Sequence, residues 1–183
     1  MKSKMYQNSS KCSKGKIFFT LTLVAALMFA GCNKDDDGGA SALIGEWTSV
    51  SATGSVTYFN TALTSIVNSK LTTYDLTGVA TLGFDKSGKL MYSGKVSFPV
   101  IYDYTLNGDK LTFSANEGRE QDLYKVEVNG DEFTLTHYGV FVGDVLAHIA
   151  WYLGDMELKA NTMSGSVNVT AANLTIKLKK TKK

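Results

Sequence analysis

The chain has 183 residues, 44% apolar and 20% charged, which suits one globular domain with a substantial core and excludes a disordered or fibrous protein. Its formal charge is +2 and its only arginine is Arg119, so the interleaved basic and aromatic face that follows a phosphate backbone is missing and no nucleic-acid partner is expected.

The first forty residues stand apart from the rest. Lys2, Lys4, Lys11, Lys14 and Lys16 precede the uncharged run IFFTLTLVAALMFAG over 17–31, an n-region followed by an h-region. A membrane-spanning helix needs about 20 apolar residues, so 1–31 reads as a signal peptide that is removed. Phe29, Ala30, Gly31 and Cys32 resemble the lipobox of bacterial lipoproteins, which implies cleavage before Cys32 and acylation of its thiol. The following NKDDDGG is similar to the acidic export signal of surface lipoproteins of Bacteroidetes, with Asp35, Asp36 and Asp37 as the signal. These resemblances imply a protein held to outer-membrane lipid through Cys32 and exposed at the cell surface, with 32–42 as a lipidated acidic linker. Cys12 leaves with the signal peptide and Cys32 is consumed as a thioether, so no disulfide remains and burial alone must hold the mature domain. Loss of five lysines leaves fourteen basic residues against seventeen acidic ones, and five of the fourteen lie in the terminal KLKKTKK, 177–183.

Residues 43–183 speak mostly in period two. IGEWTSVSA opens as a strand, and NTALTSIVNSKLTTY over 60–74 then repeats apolar residues at three and four after a candidate cap at Asn60, which predicts a short helix. The turn DKSG, 85–88, joins VATLGF to KLMYS. VIYDYTLNGDKLTF and LYKVEVNGDEFTL each place Asn-Gly between alternating apolar runs, the strongest short-range hairpin signal. A type I′ turn at Asn107-Gly108 pairs Tyr104 with Leu111 and Tyr102 with Phe113; the same turn at Asn129-Gly130 pairs Val126 with Phe133 and Tyr124 with Leu135. GDVLAHIAWYLG, 143–154, is apolar nearly all round and predicts a buried helix packed on or plugging the sheet, with Asp144 as N-cap and Gly154 just past its end. A last meander is expected to join SVNVT, 166–170, to LTIKLKK, 174–180, through Ala171-Ala172-Asn173.

These elements predict a mainly β fold: an up-and-down antiparallel barrel of about 8 strands with one or two short helices. Gly45-Glu46-Trp47 resembles the Gly-x-Trp opening of lipocalins, and the order of elements over 43–180 resembles lipocalin-like lipoproteins of Bacteroidetes. The resemblance implies that Trp47 closes one end of a barrel that holds a small ligand, and that an arginine from near the end of the chain stacks on it. No arginine follows Arg119, so either Lys180, which shares parity with Leu174, Ile176 and Leu178, lies over Trp47, or that end closes differently.

Catalytic chemistry finds no foothold. There is no Gly-x-Ser-x-Gly elbow, no glycine loop to cradle phosphate, and only His137 and His148 as histidines, without the spacing of a metal site. No enzyme activity, cofactor or metal is therefore expected, and alternation sends the carboxylates Asp103 and Glu127 to the outer face. What concentrates is aromatic surface on the inner face: Tyr102, Tyr104, Phe113, Tyr124 and Phe133. They either line a pocket for a small apolar, aromatic or glycan-derived ligand, or fill the barrel of a structural or protein-interaction module of the envelope.

Overall fold

Alternating apolar residues build a sheet that closes on itself. The computed structural model describes residues 40–95, 97–114, 122–138 and 142–181; the expected signal peptide, Cys32 and Asp35, Asp36 and Asp37 lie outside them. The elements are α1 (Ala40–Leu43), β1 (Gly45–Tyr58), α2 (Thr61–Lys70) with a 3₁₀ turn Leu71–Thr73, β2 (Ala80–Phe84), β3 (Lys89–Gly94), β4 (Ser97–Asn107), β5 (Lys110–Ser114), β6 (Asp122–Asn129), β7 (Glu132–His137), α3 (Asp144–Ala160) and β8 (Val169–Lys180). The eight strands form a closed antiparallel barrel in sequence order, β1 joining both β2 and β8. α1 falls across the expected start of the domain at residue 43.

Both Asn-Gly hairpins form, with a register that differs from expectation. Tyr104 faces Phe113 and Leu106 faces Leu111; Val126 faces Leu135 and Val128 faces Phe133. The central residues are thus Gly108-Asp109 and Gly130-Asp131. Only the glycines have positive φ, 61° at each, which is the signature of a type II′ turn with glycine first rather than the type I′ turn with asparagine first. Each partner shifts by two positions, and because side chains alternate with period two, every residue keeps its predicted face.

Two further boundaries move. The expected last meander is one continuous strand, β8, which accompanies β1 from Tyr58 opposite Val169 to Trp47 opposite Lys180. Ala171, Ala172 and Asn173 pair in succession with Thr57, Val56 and Ser55 of β1, so the chain runs through them without turning. α3 runs on to Ala160, six residues past Gly154, which is a packing glycine within the helix. A Cβ on Gly154 would lie 2.3 Å from Val167 Cγ1 and 3.0 Å from Tyr58 Cε1.

β1 is much longer than β2 and leaves it after Thr48. α2 covers the edge left open. Its cap forms as predicted, Asn60 Oδ1 accepting from the Ala62 and Leu63 amides, and Leu63 and Val67 are buried below. Asn68 then acts as a one-residue strand, its Oδ1 accepting from Val56 N and its Nδ2 donating to Val56 O, both at 2.8 Å, while Tyr58 N donates to Thr64 Oγ1 at 2.9 Å.

Candidate functional site

The barrel has two ends of different construction. At the end where β1 begins, three tight turns, 85–88, Gly108-Asp109 and Gly130-Asp131, surround Trp47. The indole is fully buried, its Nε1 donating to Leu43 O at 2.7 Å and its edge meeting Phe133 at 5.4 Å. Lys180 Nζ stands 5.1 Å from the Trp47 ring centroid, the place that parity predicts. Gly45 makes this possible: its φ is 125°, and a Cβ there would come within 3.1 Å of Lys180 Cε. In Gly-x-Trp the glycine thus takes a backbone conformation that other residues rarely adopt and leaves room beside the lysine that covers the tryptophan.

At the other end α3 lies across the barrel. Tyr58, on the inner face, donates to Ala150 O at 2.6 Å; Tyr102 bonds Asp144 Oδ2 at 2.5 Å; the His148 ring stacks on Tyr92 at 5.1 Å and meets Trp151 edge-on. A buried carboxylate locks α3 to α2. Glu157, 2% exposed, accepts from Lys70 Nζ at 2.7 Å, from the Tyr74 hydroxyl and from Asn161 Nδ2. The Lys70 bond first, then those of Tyr74 and Asn161, hold its carboxyl below the ordinary glutamate range, while burial and then Glu157 itself push the Tyr74 phenol well above its usual value. Sequence reasoning missed this cluster, since Glu157 lies beyond the expected end of the helix.

This cluster has a pH signature. A depressed carboxyl adds stability that is present above about pH 4.3 and is lost as pH falls through its lower folded value. Tyr74 acts on the alkaline side, where its raised phenol adds stability that is complete below about pH 10 and lost above it. Glu157→Gln should therefore flatten the acid limb of a stability-versus-pH profile, and Glu157→Ala should cost about 0.5–1.5 kcal/mol at pH 7 through lost hydrogen bonds, since the exposed Lys70 and Asn161 can turn to water. Urea melts from pH 3 to 7 check both; an acid limb unchanged in Glu157→Gln would refute it.

Between the ends, the five aromatic candidates join one cluster through Phe113 and Phe84. Phe113, Tyr124 and Phe133 are at most 1% exposed, Tyr102 4% and Tyr104 7%. Phe113 packs on Tyr124 at 5.0 Å and on Tyr102 at 6.2 Å, and Phe84 joins Tyr104, Phe113 and Phe133 at 5.0, 6.3 and 6.0 Å. The Tyr104 hydroxyl donates to Asp85 O at 2.8 Å. Phe113, Tyr124 and Phe133, with almost no surface open to a water-sized sphere, border no void that a ligand atom would enter, whereas Tyr104 lines an open pocket of about 320 Å³ with Ala40, Ser41, Ile44 and Lys86. His137 meets the Tyr124 edge at 5.4 Å, its basicity lowered by burial, and among the described residues no cluster of His, Cys, Asp or Glu suits a metal ion. Asp103 and Glu127 lie on the outer face, exposed and paired with Lys89 and Lys125.

No family model, curated protein or solved structure matches the chain.

Proposed function

We propose that this chain is a lipid-anchored surface protein of a Bacteroidetes-type outer membrane, whose lipocalin-like barrel is a rigid, non-enzymatic interaction module rather than a ligand-holding calyx. The observation that carries this reading is the burial of the inner aromatics: Phe113, Tyr124 and Phe133 are almost wholly buried, Phe113 packs on Tyr102 and Tyr124, and the hydroxyls of Tyr102 and Tyr104 are already bonded to Asp144 and to the Asp85 carbonyl. A polar ligand would have to displace those bonds and part the rings. The anchor rests on the lipobox at Phe29 to Cys32, and the surface address on Asp35, Asp36 and Asp37.

Two measurements test the parts separately. Tyr104→Phe should cost about 0.5–1.5 kcal/mol through loss of one hydrogen bond, and no compound in a lipid, glycan and aromatic screen should raise the wild-type unfolding midpoint. A compound that does so, with an effect that disappears in Tyr104→Phe, would replace this reading with a small-ligand binder. Cys32→Ser should leave the membrane fraction, because acyl chains supply stable anchoring; a Ser variant still firmly bound would remove the lipoprotein assignment.

A further inference from the structure

The outer wall of the barrel carries a groove that neither the closed sheet nor the filled interior requires. Glu46, Gly83, Met91 and Ile101 lie in register across β1 to β4, one row of outward positions. Met91 and Ile101 are 46% and 63% exposed, side by side. At Gly83 the row has no side chain, and a groove of about 310 Å³ opens there, lined among others by Glu46, Phe84, Asp85, Lys89, Met91 and Ile101.

Nothing in the backbone asks for glycine at this place. Gly45 and Gly54 have positive φ and meet close neighbours, and Gly154 is crowded, but Gly83 has no such φ, and a Cβ there would sit at ordinary distances of 3.7 Å from Met91 O and 3.9 Å from Met91 Cβ. Glycine inside a strand usually marks a bulge or a close backbone approach. Here β2 runs in unbroken register with β3. The missing side chain serves the space above it.

The charges around that space lean acidic, the nearby Lys180 ammonium group beside Gly45 being turned over the Trp47 ring. Lys89 is taken by Asp103 at 2.5 Å. The donors Ser87 N, Ser87 Oγ and Lys89 N all converge on Oδ1 of Asp85, and among the described residues Asp85 Oδ2 accepts no bond and the half-buried Glu46 carboxylate has no ion pair. The groove therefore joins an apolar floor to two carboxylates with acceptor capacity to spare. That combination matches one kind of side chain, a long aliphatic stem with a cation at its tip. A second copy suits it less: with Ile101 of each wall seated over Gly83 of the other, Asp85 and Asp103 would be set against each other.

The geometry points to this groove as the docking site for a lysine- or arginine-bearing segment of a partner protein. The stem lies along Met91 and Ile101 over Gly83, and the cation is directed to Glu46 and Asp85. The inference rests on the interaction-module reading above. A displayed library of short random peptides, selected on the full-length protein in detergent, tests it. Selected peptides should pair a basic residue with an apolar neighbour, weaken with salt, and lose about tenfold or more in affinity toward Gly83→Leu and toward Glu46→Lys. Glu46→Gln, isosteric and outward-facing, should weaken them at an unchanged melting point, which separates loss of the site from loss of the fold. Peptides held equally by all three variants, or selected without a basic residue, would overturn the groove while leaving the interaction-module reading intact. That reading falls instead if the small-molecule screen yields a ligand sensitive to Tyr104→Phe.

Discussion

Trp47→Ala should destabilise the protein by about 3–5 kcal/mol, the range for aromatic truncation in a core. Trp47 joins three parts: the Leu43 carbonyl that ends α1, Phe133 on β7 and Lys180 on β8. Truncation leaves a void under the barrel end, an unanswered carbonyl at Leu43 and a lysine without its ring. Trp47→Phe keeps the packing and loses the hydrogen bond, so it should cost less than half as much. Lys180→Ala should cost only about 0.5–1 kcal/mol, the worth of a partly exposed cation–π contact. Denaturant melts of the three variants check the order Ala, Phe, Lys180→Ala; a Trp47→Ala loss no larger than that of Lys180→Ala would show that the indole is not the closure of this end.

Gly154→Ala should destabilise by about 1–3 kcal/mol, against helix propensity, which favours alanine over glycine by about 1 kcal/mol. The sign follows from the neighbours. The added Cβ would lie 2.3 Å from Val167 Cγ1, and the Tyr58 ring, 3.0 Å away, is fixed by its bond to Ala150 O. Val167 is branched at Cβ and has little freedom to give way. Gly83→Ala, where the added methyl meets only ordinary contacts, is the control and should be neutral or mildly stabilising. A stabilised Gly154→Ala would mean that β8 and its approach can move away from α3, and that the two are not tightly joined.

The faces of the strands were legible from alternation alone, because a half-buried sheet must repeat with period two. Tyr102, Tyr104, Phe113, Tyr124 and Phe133 all point inward as expected. The pairing was less legible, since Asn-Gly and Gly-Asp make equally short turns and only φ at the asparagine distinguishes them; the error kept parity and so left the core list unharmed. β8 was read as two strands because small residues weaken the alternation at 171–173, although the length of β1 demands a partner as long as itself. Gly154 was read as a helix end by residue type, when its reason is a neighbour distant in sequence. Glu157 was invisible for the same cause: Lys70 and Tyr74, which make its carboxylate tolerable in the core, come from the other side of the barrel sequence. Gly83 was readable as an oddity inside a strand, but the row that it interrupts appears only once three strand registers are known.

Asn68 has a consequence for what this protein avoids. A closed barrel is commonly taken to have no template for strand addition, yet β1 outruns β2 and its far half offers Val56 and Tyr58 backbone groups sideways. One amide side chain and one threonine hydroxyl, both carried on α2, occupy those groups. Were α2 to loosen, the N–H and C=O of Val56 would become an open socket for an extended chain, the event from which edge-to-edge aggregation begins. A ten-residue helix thus guards a seam that the strands themselves leave open.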